Sequence, residues 1–440
     1  NSAFNFTMFA IPFLALALLF FLKKENLYIF IKILSLFCIS IIVANFGLVY
    51  IYFQEIEFHR VEFLRDSYPP LEALFVYLKY LFKIPDSFTY SFFKYLPFTL
   101  FVIPLFICGF FSKEKKQTDN ETSEKALNQF LENIRSKSLN PATQIFISGE
   151  LDRVFANRVK VANIQNEYSN RLDEYYSDPI FITGLPRTGT TALQKMFSLL
   201  ESCRVLKLWE LHYPTAHLEG DRAIKTAKKH TRKYAFLQNF SKPEQKYIHP
   251  VGVDEPDECF RLLFNSFTSI AISSALGLDD YENFVIGSDM LNVYKEYKVQ
   301  LQILSINSPQ KQLILKAPEH LWNLDVLFKV FPSARIVMTH RDPLQSITSY
   351  SSMISMFRRT AYKTTCFNDL GPYVTDVFQK GLKRSYKARK NKIDNKNIID
   401  VHCKDIQNNP ITTIKSVCRK LKINVDEKAK KKLKKWIYKK

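Results

Sequence analysis

The sequence predicts an α/β domain, a parallel sheet flanked by helices, preceded by an N-terminal region of about three transmembrane helices. Three observations carry this prediction. Five short β-rich runs between residues 180 and 403 alternate with helical apolar patterns, the order that gives a parallel sheet covered by helices. Several of these runs are apolar on both faces, as strands buried in a parallel sheet are. The first 112 residues hold three long uncharged stretches and are far richer in Phe, Leu and Ile than the rest.

Residues 3–22, 33–54 and 95–112 carry no charged side chain. A bilayer core takes roughly 20 apolar residues in helical form, so each is read as a span. The third is the shortest and contains Pro97 and Pro104, which membrane helices tolerate. The first is read as a span rather than a cleaved leader, because Lys23, Lys24 and Glu25 follow it directly in place of a small-residue cleavage site. Residues 71–82, "LEALFVYLKYLF", suit a helix lying on the membrane surface. Lys23, Lys24 and Lys32 crowd the first short loop, and Lys113, Lys115 and Lys116 follow the third span. The positive-inside rule then puts the large C-terminal part in the cytosol. Arg60, Arg65, Lys79, Lys83 and Lys94 in the middle loop weaken that bias. A Golgi-lumen domain is the alternative, and it would expose the sequons at Asn120 and Asn239 to glycosylation.

Residues 113–125, "KEKKQTDNETSEK", are polar throughout and read as a linker before a domain at 126–440. Residues 126–172 carry helical spacing broken at "LNPAT", where Asn140 and Pro141 suit a turn. The expected strands are 180–183, 203–208, 312–316, 335–340 and 397–403; the expected helices are 190–200, 319–331, 343–357 and 410–421. In such a sheet ligands sit at the carboxyl ends of the strands. The seven cysteines form no CxxC pair and no cluster with histidine, so no metal site is expected and reduced, structural thiols are. The formal charge of +20 implies anionic partners: phosphates or a lipid bilayer here, with no nucleic acid. The 428–440 stretch holds eight lysines and reads as a solvated helix face or as an attraction to anionic lipid. The chain starts with Asn and is read as open at both ends.

Three segments carry candidate chemistry. "FITGLPRTGTTALQKMF" (181–197) is a strand, a tight loop and a helix start, which together make an anion site of backbone N–H groups and helix dipole. Gly184 and Gly189 have the spacing of a nucleotide-binding G-x-x-x-x-G-K-[ST] loop, yet Thr190 and Thr191 stand where the lysine would be. A triphosphate would lack its clamp, so the loop suits a shorter anion, with Arg187 as a fixed positive fork. In "ARIVMTHRDPLQSITSYSSM" (334–353), Arg341 follows a strand and Ser349 lies eight residues on, two turns into a helix that opens at Pro343. Such a pair can grip one phosphate from two sides. In "QLILKAPEHLWNLDVLFKVFP" (312–332), Lys316 ends a strand on the ligand side of the sheet.

These segments, in this order, resemble the sulfotransferases that use 3′-phosphoadenosine 5′-phosphosulfate (PAPS), above all the bacterial-type family with a "GLPRTGTT" loop and, more distantly, the tyrosylprotein sulfotransferases. "WELHYPTA", "HPVGVDEPDEC", "LKAPEHLW" and "DVHCKDIQNNP" are similar to that family too, and the resemblance covers roughly 126–430. It implies a transferase, membrane-anchored by the uncharged stretches before it, moving a sulfuryl group to a hydroxyl on a lipid, a glycan, a small molecule or a protein tyrosine. It implies that Arg187, Thr188, Gly189, Thr190 and Thr191 hold the 5′-phosphosulfate, that Arg341 and Ser349 hold the 3′-phosphate, and that Lys316 stabilises the transferring group. Glu210 falls near the catalytic glutamate of the tyrosylprotein branch and is the first choice of base, then His249, with Glu258 less favoured. Relatives of this kind continue past the position of Lys440 with a basic, glycine-containing segment. A kinase or nucleoside triphosphatase and a non-catalytic membrane-bound binding protein are the rival classes.

Overall fold

The computed structural model describes residues 121–438 apart from 177, 243, 245–250, 307–310, 363–368 and 392–394. The expected spans, the surface helix at 71–82, the sequon at Asn120 and the candidate base His249 lie outside the described residues. Among those described, no helix is long and apolar enough to cross a membrane.

Two helices open the described part. The first, α1 (Glu121–Ser136), starts inside the stretch read as a linker. Glu121 and Glu124 in its first turn favour that start. The turn read at Asn140 and Pro141 launches α2 (Pro141–Tyr168): the Asn140 side chain accepts from the Thr143 N–H at 2.8 Å, and Pro141 takes the first helical position.

The sheet has five strands in the order β2-β3-β1-β4-β5, and all its pairings are parallel. They are β1 (Ile180–Gly184), β2 (Cys203–Val205), β3 (Gln312–Lys316), β4 (Arg335–His340) and β5 (Ile398–His402). Each falls on an expected run. β2 is shorter than the expected 203–208, because Lys207 forms an isolated antiparallel bridge to Pro256 and a helix begins at Leu208.

Alternate strand residues face two cores. Ile180, Ile182, Ile314, Val337, Ile399 and Val401 pack against α3 (Thr190–Phe197) and α14 (Pro410–Lys420). Phe181, Leu313, Leu315, Ile336, Met338 and Ile398 lie in the larger core with α10 (Leu324–Val330) and α12 (Leu370–Asn391). The period of two along each strand thus sorts side chains between two covered faces, which is why the strands read as unbroken apolar runs.

Between β2 and β3 the chain forms α4 (Leu208–His212), α5 (Asp221–Ser241), α6 (Phe260–Phe264), α7 (Ile270–Leu276), α8 (Asp279–Gly287) and α9 (Leu291–Ser305). The expected helix at 319–331 enters as a 3₁₀ turn, Pro318–Asn323, before α10. After β4 comes α11 (Pro343–Ala361), with Asp342 capping the Leu344 N–H at 2.9 Å. After β5 come α13 (Cys403–Asn408), α14 and α15 (Glu427–Tyr438). The lysine-rich tail is α15: Ala429 and Leu433 face the core, while Lys428 and Lys432 pair with Glu201. The four described cysteines, Cys203, Cys259, Cys403 and Cys418, are free and buried.

Candidate active site

The carboxyl ends of β1, β3 and β4 bring the three sequence segments together. β1 runs into the loop 185–189 and then into α3. The loop is forced tight by its backbone. Gly184 has φ 143°, and a Cβ there would lie 2.4 Å from the Thr339 carbonyl oxygen on β4. Gly189, before α3, has φ 94°. Arg187 adopts φ 69°, a left-handed conformation uncommon for a residue with a side chain and one that marks strain held by its surroundings. Thr188 is buried, its Oγ1 lying 2.6 Å from both Leu185 O and Thr339 Oγ1. These bonds pin the loop to β4. The first amides of α3 have no preceding turn to bond to, so they point into the site with the positive end of the helix dipole.

Cations surround this cradle. Arg187 donates through Nε to Ser349 Oγ at 3.1 Å, and Arg341 donates to Arg187 O at 3.0 Å. Arg341 is also held by Gln345, Nε to Oε1 at 3.2 Å. Burial, with the Arg341 guanidinium beside it, lowers the Arg187 pKa, and Glu258 opposes the shift. Two cations this close are compensated best by an anion between them. Lys316, at the end of β3, is fully buried. Its Nζ lies 2.5 Å from Glu258 Oε1 and 3.3 Å from Thr191 Oγ1, at the start of α3.

Glu258 is held from its own backbone outward. Its N–H donates to Asp257 Oδ1 at 2.6 Å, and the next N–H, of Cys259, donates to Lys316 O at 2.9 Å. Gln194 of α3 donates to Asp257 O at 2.9 Å. Asp257 is itself fixed by Arg261 at 3.0 Å. The segment thus lies between α3 and the end of β3, with the Glu258 carboxylate on the lysine.

Glu210, the first choice of base, lies on α4. It occupies the third position of α4, where its Oε2 accepts from the Lys207 N–H at 2.8 Å and its Oε1 from Arg204 at 2.5 Å. This is a reciprocal cap with an ion pair attached. Its bonds tie its own strand–helix turn and involve none of Lys316, Arg187 or Arg341. The sequence signal for Glu258 was its position in "DEPDEC", two residues after a proline; its contact with Lys316 depends on a chain reversal that spacing does not show.

Behind Lys316 lies a buried polar layer. His320 is within 2.8 Å of Tyr294 Oη through Nδ1 and 3.3 Å of Cys259 Sγ through Nε2. Burial takes the His320 pKa down to about 3 and the Cys259 thiol up to about 12. Glu319 accepts from Ser269 Oγ at 2.7 Å and the Ala271 N–H at 2.6 Å. Burial pushes its pKa up to about 8, against those hydrogen bonds. A carboxyl raised this way folds protonated, so its ionisation opposes folding, increasingly as pH rises from about 4.5 to about 8. Glu319→Gln keeps an acceptor oxygen and removes the ionisation. The variant is expected to gain stability over wild type at pH 8, on the order of a few kcal/mol, and little at pH 4, measured by denaturant melts at both.

A cavity of about 600 Å³ opens between the loop and α12. It shares Gly184, Leu185, Thr188 and Arg341 with the cradle, but neither Lys316 nor Glu258 lines it. It is therefore an annex on the Arg341 side, separate from the Lys316–Glu258 contact. Among the described residues, no group of three or more His, Cys, Asp or Glu is placed to hold a metal ion.

A parallel α/β sheet with a tight glycine loop at a helix start, two arginines and a buried lysine at its strand ends suits an anionic group. The chain belongs to the sulfotransferase family, whose model matches residues 179–427. Its fold is similar to that of sulfotransferase STF1 from Mycobacterium tuberculosis, at 24% identity and a TM-score of 0.60, covering 72% of this chain and 87% of that one. It is also similar to that of sulfotransferase STF9 from Mycobacterium avium, at 20% identity and a TM-score of 0.65, covering 73% and 83%. No curated protein matches the chain significantly.

Proposed function

We propose that this protein transfers the sulfuryl group of PAPS to a hydroxyl acceptor, with Glu258 as the base and Lys316 at the transferring group. The observation that carries this reading is the Lys316–Glu258 contact of 2.5 Å beside Thr191 at the head of α3. An anion cradle, a cation and a carboxylate converge there. The loop amides, Thr190 and Thr191 would hold the 5′-phosphosulfate, and Arg341 with Ser349 the 3′-phosphate. Arg187, now bonded to Ser349, stands between the two groups and can serve either.

The chemistry balances without a further reactant. The acceptor oxygen attacks sulfur, and its proton passes to a Glu258 oxygen. The bond from sulfur to the 5′-phosphate oxygen breaks, and its electron pair stays on that oxygen, which Lys316 and the start of α3 stabilise. In the unliganded protein Lys316 neutralises Glu258. A bound phosphosulfate competes for the lysine and frees the carboxylate to take a proton, so the base becomes available when the donor is in place. Glu210, with both oxygens engaged, suits the structural cap described above.

The protein is expected to bind adenosine 3′,5′-bisphosphate, the product of this reaction, far more tightly than ATP, because the cradle has no lysine for a γ-phosphate. Calorimetric titration with both nucleotides tests this, and equal or tighter ATP binding overturns it. Incubation of membranes with sulfur-labelled PAPS identifies the acceptor.

We further propose that the uncharged stretches within residues 1–112 anchor the domain and that it faces the cytosol. Asn239 lies on an exposed part of α5, its side chain donating to Val251 O at 3.0 Å, so glycan there reports on sidedness. Protease is expected to cleave the domain in sealed vesicles with the cytosolic face outward. A protected domain, or glycan on Asn120 or Asn239, overturns this orientation.

A further inference from the structure

The helix α5 has an outer surface that the reaction does not use. Its spacing puts Arg222, Lys225, Lys229, Lys233, Phe236 and Phe240 on one stripe, opposite the buried Ala227, Thr231 and Ala235. The helix carries six Lys or Arg against one acid, Asp221. Arg222, Lys225, Lys229 and Lys233 make no ion pair among the described residues. The last turn changes character. Phe236, Leu237 and Phe240 are 65%, 52% and 74% exposed, and the two phenyl rings stack at 5.9 Å. The stripe is cationic for three turns and then ends in a protruding apolar tip.

We propose that this stripe docks on an anionic lipid bilayer, with the Phe236–Phe240 tip in the interfacial layer and the lysines on the headgroups. Three observations favour a bilayer. Cations flanking exposed aromatic and leucine side chains match what anionic interfaces bind. Phe236 and Phe240 are 65% and 74% exposed, and a bilayer accepts exposed apolar side chains without shape complementarity. The same chain carries the uncharged stretches 3–22, 33–54 and 95–112.

The tip also adjoins the elements that build the site. Asn239 holds the backbone of Val251, on the segment that leads to Glu258. Lys242, just past the helix, lies over the Phe357 ring at 5.4 Å, on the same helix as Ser349. Docking would therefore hold elements that carry site residues close to the membrane. Resting on the function proposed above, the acceptor class is a hydroxyl borne by a lipid or other bilayer-embedded amphiphile.

The test uses the full chain carrying Phe240→Trp, reconstituted in nanodiscs of phosphatidylcholine alone or mixed with phosphatidylserine. Part of the lipid is brominated near the headgroup. The fluorescence added by the substitution is expected to be quenched in the serine-containing discs and to be released when Lys225, Lys229 and Lys233 are changed to Glu. The corresponding fall in the docked-to-undocked ratio in the serine-containing discs is on the order of a hundredfold. All four positions are exposed, and a thermal melt verifies folding. An unquenched tryptophan in both discs overturns the proposal. So does quenching that ignores charge reversal, or shielding that follows protein concentration or added nucleic acid. The readout needs neither nucleotide nor turnover, so its failure leaves the donor reading standing. Sulfation of a water-soluble hydroxyl compound reports on that reading separately.

Discussion

Glu258→Gln is expected to lower turnover by roughly 10²- to 10⁴-fold, the usual worth of a positioned general base, while leaving adenosine 3′,5′-bisphosphate binding intact or tighter. The amide keeps the shape of the carboxylate and can still accept from Lys316, but it cannot take a proton. It also removes a negative charge beside the anion cradle. Glu210→Gln makes the contrast. It weakens an ion pair to Arg204 at 2.5 Å and a cap on α4, so it should lower the melting temperature modestly and leave turnover nearly unchanged. Measuring kcat, KM and melting temperature for both variants separates the assignments. Full activity in Glu258→Gln, or collapse of turnover in a folded Glu210→Gln, would move the base away from Glu258. His249 would then be the next position to change.

Much of this arrangement was legible in the sequence. The five strands fall where short β-rich runs stood, because both faces of a parallel sheet are covered and its strands are apolar throughout. The loop from Gly184 to Gly189 was legible because its glycines, its threonines and the strand before it are local. The strand end at Arg341 and the helix that opens at Pro343 and carries Ser349 were legible because Pro343 marks the helix start; that Ser349 bonds to Arg187 was not. What was hidden is non-local. Glu258 reaches Lys316 only because the Cys259 N–H bonds to Lys316 O and Gln194 ties Asp257 to α3. Neither pairing leaves a periodic trace. Between β2 and β3, α4, α6 and α7 went unread because they are short, and α9 because it is buried along much of its length; such helices lack the amphipathic signal that spacing detects. Arg187 illustrates a subtler limit. Sequence marks it as the loop's cation, but only the structure shows its strained φ and its bond to Ser349, which tie the loop to α11.

Gly184→Ala should be the most damaging small substitution in the domain, costing several kcal/mol of stability and abolishing nucleotide binding. Two effects add. The φ of 143° is one that side-chain-bearing residues rarely adopt, worth about 1–3 kcal/mol. The new Cβ would also lie 2.4 Å from Thr339 O and 2.7 Å from Thr339 Oγ1, where atoms cannot remain. Gly184 and Thr339 are register partners across β1 and β4, so relief requires the strands to part at the point where the cradle begins. The clash is chiefly with backbone, which makes a sharp test possible. Trimming the neighbour in Gly184→Ala/Thr339→Ala removes Oγ1 but leaves the carbonyl oxygen, so the double variant should stay almost as unstable as the single one. Gly149→Ala is the matched control. That glycine lies within α2, with nothing within 4 Å of a new Cβ, and the change should stabilise by about 0.5–1 kcal/mol. Denaturant melts of the three variants, with calorimetric titration of adenosine 3′,5′-bisphosphate into each, decide the matter. A Gly184→Ala protein of wild-type stability that still binds the nucleotide would show that the cradle does not depend on this close approach of β1 to β4. Rescue by Thr339→Ala would show that the threonine side chain, and not the strand itself, sets the geometry of the loop.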